Sequence, residues 1–219
     1  MMKASEQEPG DERLTTAMLS DALDECGLRA QVLENRLIPV VPGTRAFGRA
    51  ATAQFEAGQE DIPDDPYGAA IDYISGLNRG ELAVIATGES NASAFWGELF
   101  SAAAIGAGAV GVVTDGNLRD TPQIARLGFP AFARSHRPID FRRRMQLVAS
   151  RGVVRILGVE ISDGDLVMAD DDGVVVVPQA VEAQVLAAAR GRAAAESTVL
   201  KELLGGESLR SVWDRHRIL

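Results

Sequence analysis

An alanine-rich helix and a β-branched strand follow each other between residues 99 and 114, with glycines at their junction. Small and apolar residues recur every three or four positions from Leu99 to Ile105, which predicts a tightly packed helix. Val110–Thr114 is a short apolar run of the kind that forms a buried strand. A helix that leads into a buried strand is typical of an α/β fold, and we predict a chain of this class.

Charged residues flank this helix and strand. Glu98 stands at the predicted start of the helix, and the polar run Asp115–Asp120, which ends in Arg119 and Asp120, follows the strand. Open α/β sheets bind ligands outside the carboxyl ends of their strands. The unpaired N–H groups of a helix start, here near Gly97, favour a carboxylate or a phosphate. The pattern predicts a ligand site between these two segments.

The charged residues of this site have the chemistry of a site for a hard metal ion. Glu98 and Asp120 could bind a divalent cation directly or through water, because Mg²⁺ prefers one or two carboxylates and keeps several waters. Arg119 offers a planar donor fork for a carboxylate or an enolate. A structural salt bridge between Arg119 and Asp120 that caps the following helix explains the same spacing equally well.

Two other motifs match known binding sequences only in part. Gly106–Gly111 fits the pattern G-x-G-x-x-G, but it closes a helix, whereas a dinucleotide site needs this pattern after a strand. We interpret these glycines as a tight turn that permits close packing. Asp170–Asp172 lacks the alternate spacing of a calcium loop and is interpreted as a solvated hairpin turn. Two histidines and the single cysteine, Cys26, are too few for a typical structural zinc site.

Charge and hydropathy limit the partners of the chain. A formal net charge of -9 disfavours nucleic acid, whose phosphates require a basic face. No uncharged apolar run approaches the ~20 residues of a membrane span, and the polar N-terminus lacks a signal-peptide pattern. We therefore expect a cytoplasmic protein that binds neither nucleic acid nor membranes. The basic run Arg137–Met145, with Arg142–Arg144 in a row, is interpreted as solvated surface.

The remaining periodicity predicts one helix near the N-terminus, one between strands and two at the C-terminus. Leu14–Cys26 and Tyr67–Leu77 are predicted helices, and Gln179–Leu204 is a long one followed by a short helix, Leu209–Arg217. The predicted strands are Leu37–Val41, Ala46–Phe55, Leu82–Thr87, Phe129–Ala133, Val153–Ile161, Leu166–Ala169 and Val174–Val177. The C-terminal helical arm is long enough to reach a neighbouring subunit.

Three segments of the chain resemble one known family. In Gly97–Phe100 the acidic residue Glu98 precedes Arg119-Asp120 by twenty intervening residues, which resembles the acidic-X20-Arg-Asp motif of the RraA-like family. Leu127–Ala133 and Gly164–Pro178 are also similar to that family. The family includes the 4-hydroxy-4-methyl-2-oxoglutarate/4-carboxy-4-hydroxy-2-oxoadipate aldolases and the regulator of ribonuclease activity A. The resemblance covers roughly residues 14–204.

The resemblance implies a fold, an assembly and an activity. The fold is β/β/α, like the phosphohistidine swivelling domain, with a core domain over residues 14–178 and a C-terminal helical extension over 179–219. The assembly is a homotrimer or a homohexamer, with the extension in the interface. The activity is that of a class II pyruvate aldolase that uses Mg²⁺ or Mn²⁺. Its substrates are 4-hydroxy-2-keto acids such as 4-hydroxy-4-methyl-2-oxoglutarate, and it also decarboxylates oxaloacetate.

The resemblance also assigns chemical roles to the charged residues. Asp120 would bind the metal, and Glu98 would hold a metal-bound water. Arg119 would stabilise the enolate that forms when the carbon–carbon bond breaks. Together, Glu98 and Arg119 would hold the water that shuttles the proton.

Backbone groups and a second subunit complete the implied site. The backbone N–H groups of Leu99 and Phe100, which follow Gly97, would bind the pyruvate carboxylate at the start of the helix. Glu196 in the C-terminal helix resembles a residue that crosses to the adjacent subunit's site. Glu202 competes with Glu196 for this role, so the resemblance leaves two candidates.

A non-catalytic, protein-binding regulator of ribonuclease activity is the alternative function. The ribonuclease regulators share the fold and the motif but act by docking a protein, and a fold does not fix a function. Thr121–Gln123 departs from the many family members with an acidic residue shortly after Arg-Asp. That departure leaves the substrate preference open, and Gln59–Tyr67 and Glu89–Phe95 are the candidate segments for setting it.

Overall fold

Helices and strands alternate through the chain in the computed structural model, which describes residues 13–34, 37–58 and 65–218. The helices are α1 (Thr16–Glu25), α2 (Gly68–Ser75), α3 (Glu98–Ala107), α4 (Thr121–Leu127), α5 (Glu182–Leu204) and α6 (Leu209–His216). The strands are β1 (Ile38–Pro39), β2 (Ala46–Ala57), β3 (Glu81–Ala86), β4 (Ala94–Trp96), β5 (Gly111–Leu118), β6 (Ala131–His136), β7 (Met145–Ser150), β8 (Val153–Ile156), β9 (Val159–Ser162), β10 (Leu166–Asp170) and β11 (Gly173–Val177). This order confirms the predicted α/β class with a helical C-terminus.

Nine of the described strands form one mixed sheet. Its order is β1-β6-β5-β3-β2-β10-β11, with β4 added beside β5 and β7 beside β2. The neighbours β2, β3, β5 and β6 run parallel, while β1, β7, β10 and β11 pair antiparallel with their partners. β8 and β9 form a separate hairpin. The parallel strands bring their carboxyl ends to one edge, where α/β sheets carry ligand sites.

Both faces of the central sheet are covered. Every residue of β5, and every residue of β3 after Glu81, is buried, as expected for parallel strands enclosed on both sides. Alternate residues join two separate hydrophobic clusters: Ile85 packs with the α2–α4 side, whereas Val84 packs with the β8–β9 hairpin. Arg119 and Asp120 therefore directly follow a strand that is fixed from both faces.

The long C-terminal helix packs on the core through its first half. Val185 and Ala189 of α5 are fully buried against Leu19 of α1 and against β10 and β11. The proposed division into residues 14–178 and 179–219 stays a prediction. No helix in the described ranges is both long enough and apolar enough to cross a membrane.

The strand after α3 is longer than predicted. We expected Asp115–Asp120 to be a polar loop, but β5 continues to Leu118 and Asp115 is buried within it. The Asp115 carboxylate accepts hydrogen bonds from the backbone and the hydroxyl of Thr87 and from the backbone of Glu89. The Asn117 amide donates to the Ser93 carbonyl. These polar side chains tolerate burial because residues 87–93 satisfy them.

The region predicted as one strand, Val153–Ile161, is a hairpin of β8 and β9. Its turn residues, Leu157 and Gly158, have φ values of 45° and 87°. Positive φ at both positions is the signature of a tight two-residue hairpin turn. Leu157 in this turn is itself apolar and buried, so the apolar pattern of the sequence runs on through the turn and does not indicate that the strand ends there.

The glycine and aspartate motifs are structural. Gly108 ends α3 in the left-handed conformation, and a Cβ on Gly111 would lie 2.8 Å from the Pro130 carbonyl oxygen, which confirms the tight turn. The aspartate tract joins β10 to β11 as a hairpin, as predicted. It is more than a solvated turn, because the Asp170 carboxylate accepts from the backbone and the hydroxyl of Thr16 at the start of α1.

Candidate active site

The two halves of the predicted site are brought together by β4, a strand the sequence patterns do not reveal. β4 pairs in parallel with the end of β5, and the Arg119 backbone N–H donates to the Trp96 carbonyl at 2.9 Å. Gly97 is the N-cap of α3, and Asp120 is the N-cap of α4. The structure therefore places Arg119 and Asp120 directly beside the start of α3, as expected.

The Asp120 carboxylate lies over Gly97. Its Oδ2 atom is 3.4 Å from the Glu98 backbone nitrogen, at the positive end of the α3 dipole. A Cβ on Gly97 would lie 2.7 Å from the same oxygen, so a larger residue there would displace the carboxylate. Asp120 has a φ of 55°, a left-handed conformation that Asp and Asn adopt more readily than most residues.

Arg119 lies between two carboxylates. Its Nη1 atom donates to Oδ2 of Asp140 at 2.8 Å, and its Nε atom is 3.7 Å from Oδ2 of Asp120. The Tyr67 hydroxyl donates to the same Asp140 oxygen at 2.9 Å. The predicted contact between Arg119 and Asp120 is thus present, but the shorter ion pair is with Asp140.

This network shifts the pKa values of its members. Burial acts to raise the pKa of Asp140, but hydrogen bonds from the Arg142 backbone, the Tyr67 hydroxyl and Arg119 outweigh it and hold that pKa below its ordinary value. Burial, and then the hydrogen bond to Asp140, raises the pKa of Tyr67. At neutral pH Asp140 is therefore an anion held by a protonated phenol and a guanidinium.

A cavity of about 340 Å³ opens beside these groups, which is a typical size for a small-molecule pocket. Leu99 and Phe100 line it in the first turn of α3, where backbone N–H groups have no acceptor within the helix. The lining residues are Tyr67, Ile71, Ala94, Phe95, Trp96, Gly97, Leu99, Phe100, Arg119, Asp120 and Phe141. The half-exposed Glu98 stands at the start of α3 outside this set. The structure thus unites all predicted substrate-binding residues around one cavity.

The segment before β7 supplies site residues that the sequence reasoning missed. We interpreted the basic run Arg137–Met145 as solvated surface, and its three consecutive arginines are exposed, but Phe141 and Met145 are buried, so the interpretation was wrong for part of the run. Asp140 and Phe141 within it turn inward, and the Ala94 backbone N–H donates to the Ile139 carbonyl at 2.7 Å. The one signal in the sequence is an apolar–acidic–apolar triplet, Ile139–Phe141, that interrupts the basic run.

The loops expected to set substrate preference reach the cavity in part. Tyr67 and Phe95, at the ends of the two candidate segments, line it. Residues 59–64 of the first segment lie outside the described residues. Glu89 in the second segment instead forms an ion pair with Arg134 at 3.3 Å. Among the described residues of these segments, Tyr67, Ala94 and Phe95 line the cavity.

Glu196 is not near Arg119 within the chain. It lies on α5, forms an ion pair with Arg192 at 2.7 Å and lines a different groove, together with Met18. Its competitor, Glu202, forms an ion pair with Arg215 in α6 at 2.7 Å. A catalytic role for either glutamate would require a second subunit.

The oxygen donors of the site fit a hard divalent cation. The Asp120 side chain is 42% exposed on the cavity wall, so it has lone pairs open to a ligand. No cluster of three or more His, Cys, Asp or Glu is arranged to hold a metal within the part of the chain that the structure describes. One carboxylate is sufficient in principle, because Mg²⁺ is commonly bound by one or two carboxylates with water and substrate oxygens.

Comparison with other sequences points to one family. The sequence model of a family described as RraA-like, aldolase/RraA, matches residues 16–176. The chain is 29% identical over 167 residues to protein DlpA of Legionella pneumophila, covering 74% of this chain but only 26% of DlpA. It is 29% identical over 181 residues to a Halalkalibacterium halodurans protein named for 4-hydroxy-4-methyl-2-oxoglutarate aldolase activity, covering 83% of this chain and 80% of that protein.

Comparison with solved structures agrees with this result. A Pseudomonas syringae protein superposes with a TM-score of 0.82 at 30% identity, covering 96% of this chain and 99% of the other. RraAS2 of Streptomyces coelicolor, described as an unusual member of the RNase ES inhibitor RraA protein family, has a TM-score of 0.78 at 26% identity. That match covers 90% of this chain and 98% of RraAS2. The predicted fold and the predicted resemblance are both confirmed.

Proposed function

Because the chain belongs to the RraA-like family, we propose that it is a divalent-metal-dependent carbon–carbon lyase that releases pyruvate from 4-hydroxy-2-oxo acids. Decarboxylation of oxaloacetate would be a side activity, because it passes through the same enolate. One observation carries the proposal: Arg119 and Asp120 face the start of α3 beside a cavity of about 340 Å³. The relative named for an aldolase supports the same class of reaction.

Each site residue has a distinct role in the proposed reaction. Leu99 and Phe100 bind the keto-acid carboxylate through their backbone N–H groups, and Arg119 stabilises the enolate oxygen. Asp120 holds Mg²⁺ or Mn²⁺, which when bound supplies Lewis-acid stabilisation of the developing negative charge. Glu98 and Arg119 hold the water that takes the proton from the substrate hydroxyl.

Chelator-sensitive pyruvate release tests the proposal. Purified protein with Mg²⁺ or Mn²⁺ is supplied with oxaloacetate and with a panel of 4-hydroxy-2-oxo acids, and pyruvate is followed by NADH oxidation with lactate dehydrogenase. We expect turnover that EDTA abolishes and added metal restores. Free metal without protein is the control, because divalent ions decarboxylate oxaloacetate slowly by themselves.

A protein-binding regulator of ribonuclease activity is the second candidate. The observation in its favour is the likeness to RraAS2, a member of a family described as RNase ES inhibitors. A regulator would inhibit RNA cleavage by a partner ribonuclease without turning over any keto acid. Absence of turnover across the whole panel, together with such inhibition, would replace the lyase proposal by this one.

We further propose that the protein is a homotrimer or a homohexamer whose C-terminal helical extension lies in the interface. The support is the C-terminal end of α5, where the side chains of Leu200 and Leu204 are 57% and 80% exposed. Glu196 lies one turn before Leu200 and two turns before Leu204, and it would reach the site of the neighbouring subunit. Covering such apolar side chains is a common reason for subunits to associate.

Mixed oligomers test the shared site. Asp120→Asn and Glu196→Ala subunits are expected to be inactive separately and to recover activity after mixing, because about a quarter of shared sites regain both residues when subunits combine at random. Subunit exchange is followed by fluorescence transfer, and Glu202→Gln is the control for the competing glutamate. No recovery despite proven exchange would remove Glu196 from the neighbour's site. A fully active monomer would contradict the assembly itself.

Asp140 is assigned as a positioning residue for Arg119. Asp140→Asn removes the charge that holds the guanidinium, and we expect kcat to fall by about 10- to 150-fold, since a hydrogen bond to a charged group contributes roughly 1.5–3 kcal/mol. Affinity for Mn²⁺ should stay unchanged, because Asp120 is intact. Asp172→Asn, an exposed change in the β10–β11 turn, is the matched control. An unchanged kcat would show that Arg119 needs no second carboxylate.

A further inference from the structure

The cavity beside Arg119 has an aromatic wall. The rings of Tyr67 and Phe141 meet edge to face at 5.4 Å, and Phe141 lies 6.5 Å from Phe100. Phe100 in turn meets Trp96 edge to face at 5.7 Å. These four rings all line the cavity, and Ile71 extends the apolar lining. A continuous wall of rings binds an apolar part of a ligand best.

Arg119 is the one cation among the described residues that line this cavity. It already bonds to Asp140 at 2.8 Å and lies 3.7 Å from Asp120, so its charge is balanced within the chain. The enolate oxygen of the keto acid would take up the donors that remain. A second carboxylate on the same ligand would be buried without a cation, which costs far more than burying an apolar group.

No described neighbouring segment contributes a further cation to the lining of this cavity. The Arg142 guanidinium stacks 5.9 Å from the Tyr67 ring centroid, but Arg142 is exposed and is not a lining residue. A carboxylate held against this wall would therefore meet no lining cation other than Arg119 among the described residues.

We propose that the cavity selects 2-oxo acids whose substituent on C4 is apolar, such as an aromatic ring, and discriminates against a carboxylate there. The inference rests on the proposed function, which determines the bond that breaks. In a 4-hydroxy-2-oxo acid the C3–C4 bond breaks, and its electron pair stays on C3, which takes up a proton to give pyruvate. The C4 hydroxyl loses its proton and becomes the carbonyl of an apolar aldehyde. Oxaloacetate ends at C4 and has no such substituent.

Equilibrium binding tests the selectivity without any turnover. Two ligands differ only at C4: 2-oxo-4-phenylbutanoate carries a phenyl group where 2-oxoglutarate carries a carboxylate. Calorimetric titration of the full chain in Mg²⁺ is expected to give a Kd about tenfold lower for the phenyl compound, the scale on which apolar pockets discriminate. A preference of threefold or more supports the proposal. A smaller ratio, the reverse preference, or no binding of either ligand overturns it.

A cation placed in the wall should abolish the preference for the phenyl compound. The Ile71 side chain is 50% exposed at the cavity, so Ile71→Lys is compatible with the fold. We expect it to shift the ratio of the two Kd values toward 2-oxoglutarate by about tenfold, because the second carboxylate gains a partner. Ile71→Gln, similar in length but uncharged, is the matched control and should not produce this shift. An unchanged ratio in Ile71→Lys contradicts the placement of the C4 substituent against this wall.

Pyruvate release separates this inference from the proposed function. We expect kcat/KM for 4-hydroxy-4-phenyl-2-oxobutanoate to exceed that for 4-hydroxy-4-methyl-2-oxoglutarate by about tenfold. Tighter binding of the phenyl ligand without pyruvate release from any substrate would support the selectivity and refute the lyase. Efficient release with a preference for the glutarate would support the lyase and refute the selectivity.

Discussion

The Asp120→Asn variant is expected to lose about 10³-fold or more of its metal-dependent pyruvate release. A bound divalent metal stabilises transition-state charge by several kcal/mol, and each 1.4 kcal/mol is about a factor of ten in rate. Asparagine is the informative replacement, because Asp120 has a φ of 55° and asparagine tolerates that conformation. Asp120→Ala should be equally inactive and less stable by about 1 kcal/mol, the strain of a left-handed alanine.

Metal binding and folding are measured beside the rate of the Asp120 variants. Titration with Mn²⁺, followed by electron paramagnetic resonance, should show loss of the bound signal in Asp120→Asn. Thermal unfolding should stay near that of the wild type, because the contacts of the carboxylate are long: 3.4 Å to the Glu98 nitrogen and 3.7 Å to Nε of Arg119. An Asp120→Asn protein with wild-type turnover and Mn²⁺ affinity would remove Asp120 from the metal site.

The second large effect is expected for Arg119→Lys, which should lower kcat by about 10²-fold or more, the scale of a lost oxyanion donor. The guanidinium contacts Asp140 through Nη1 and approaches Asp120 through Nε, so it uses two edges of its planar fork at once. A lysine ammonium keeps the charge but is a single point with no fork. It cannot hold both carboxylates and present an oriented donor to an enolate.

Steady-state kinetics distinguish this role of Arg119 from a structural one. The Arg119 backbone N–H bonds to the Trp96 carbonyl at 2.9 Å whatever the side chain is, so the fold should survive the substitution. The enolate forms only along the reaction, so kcat should fall much more than KM rises. A loss below about threefold in kcat would indicate that the Arg119–Asp120 pair serves as a structural salt bridge.

Local patterns in the sequence were enough to predict most elements and half of the site. The periodicity of Leu99–Ile105 and the β-branched run after it indicated α3 and β5, because each pattern reports which side chains face a core. Gly97, Arg119 and Asp120 were placed at one site because a helix start and a strand end favour ligands for local reasons. Those features depend on neighbours in the chain, and a sequence shows such neighbours directly.

Only the tertiary structure decided the rest, because the remaining contacts join residues far apart in the chain. Asp115 lies inside β5 since Thr87 and Glu89 satisfy its carboxylate, and no local pattern encodes such a partner. Asp140 entered the site because the segment before β7 folds back to meet Arg119 and Tyr67, 21 and 73 residues away. A charged side chain can be buried only where the folded protein supplies its hydrogen-bond partners. Those partners come from distant parts of the chain and meet only in the tertiary structure.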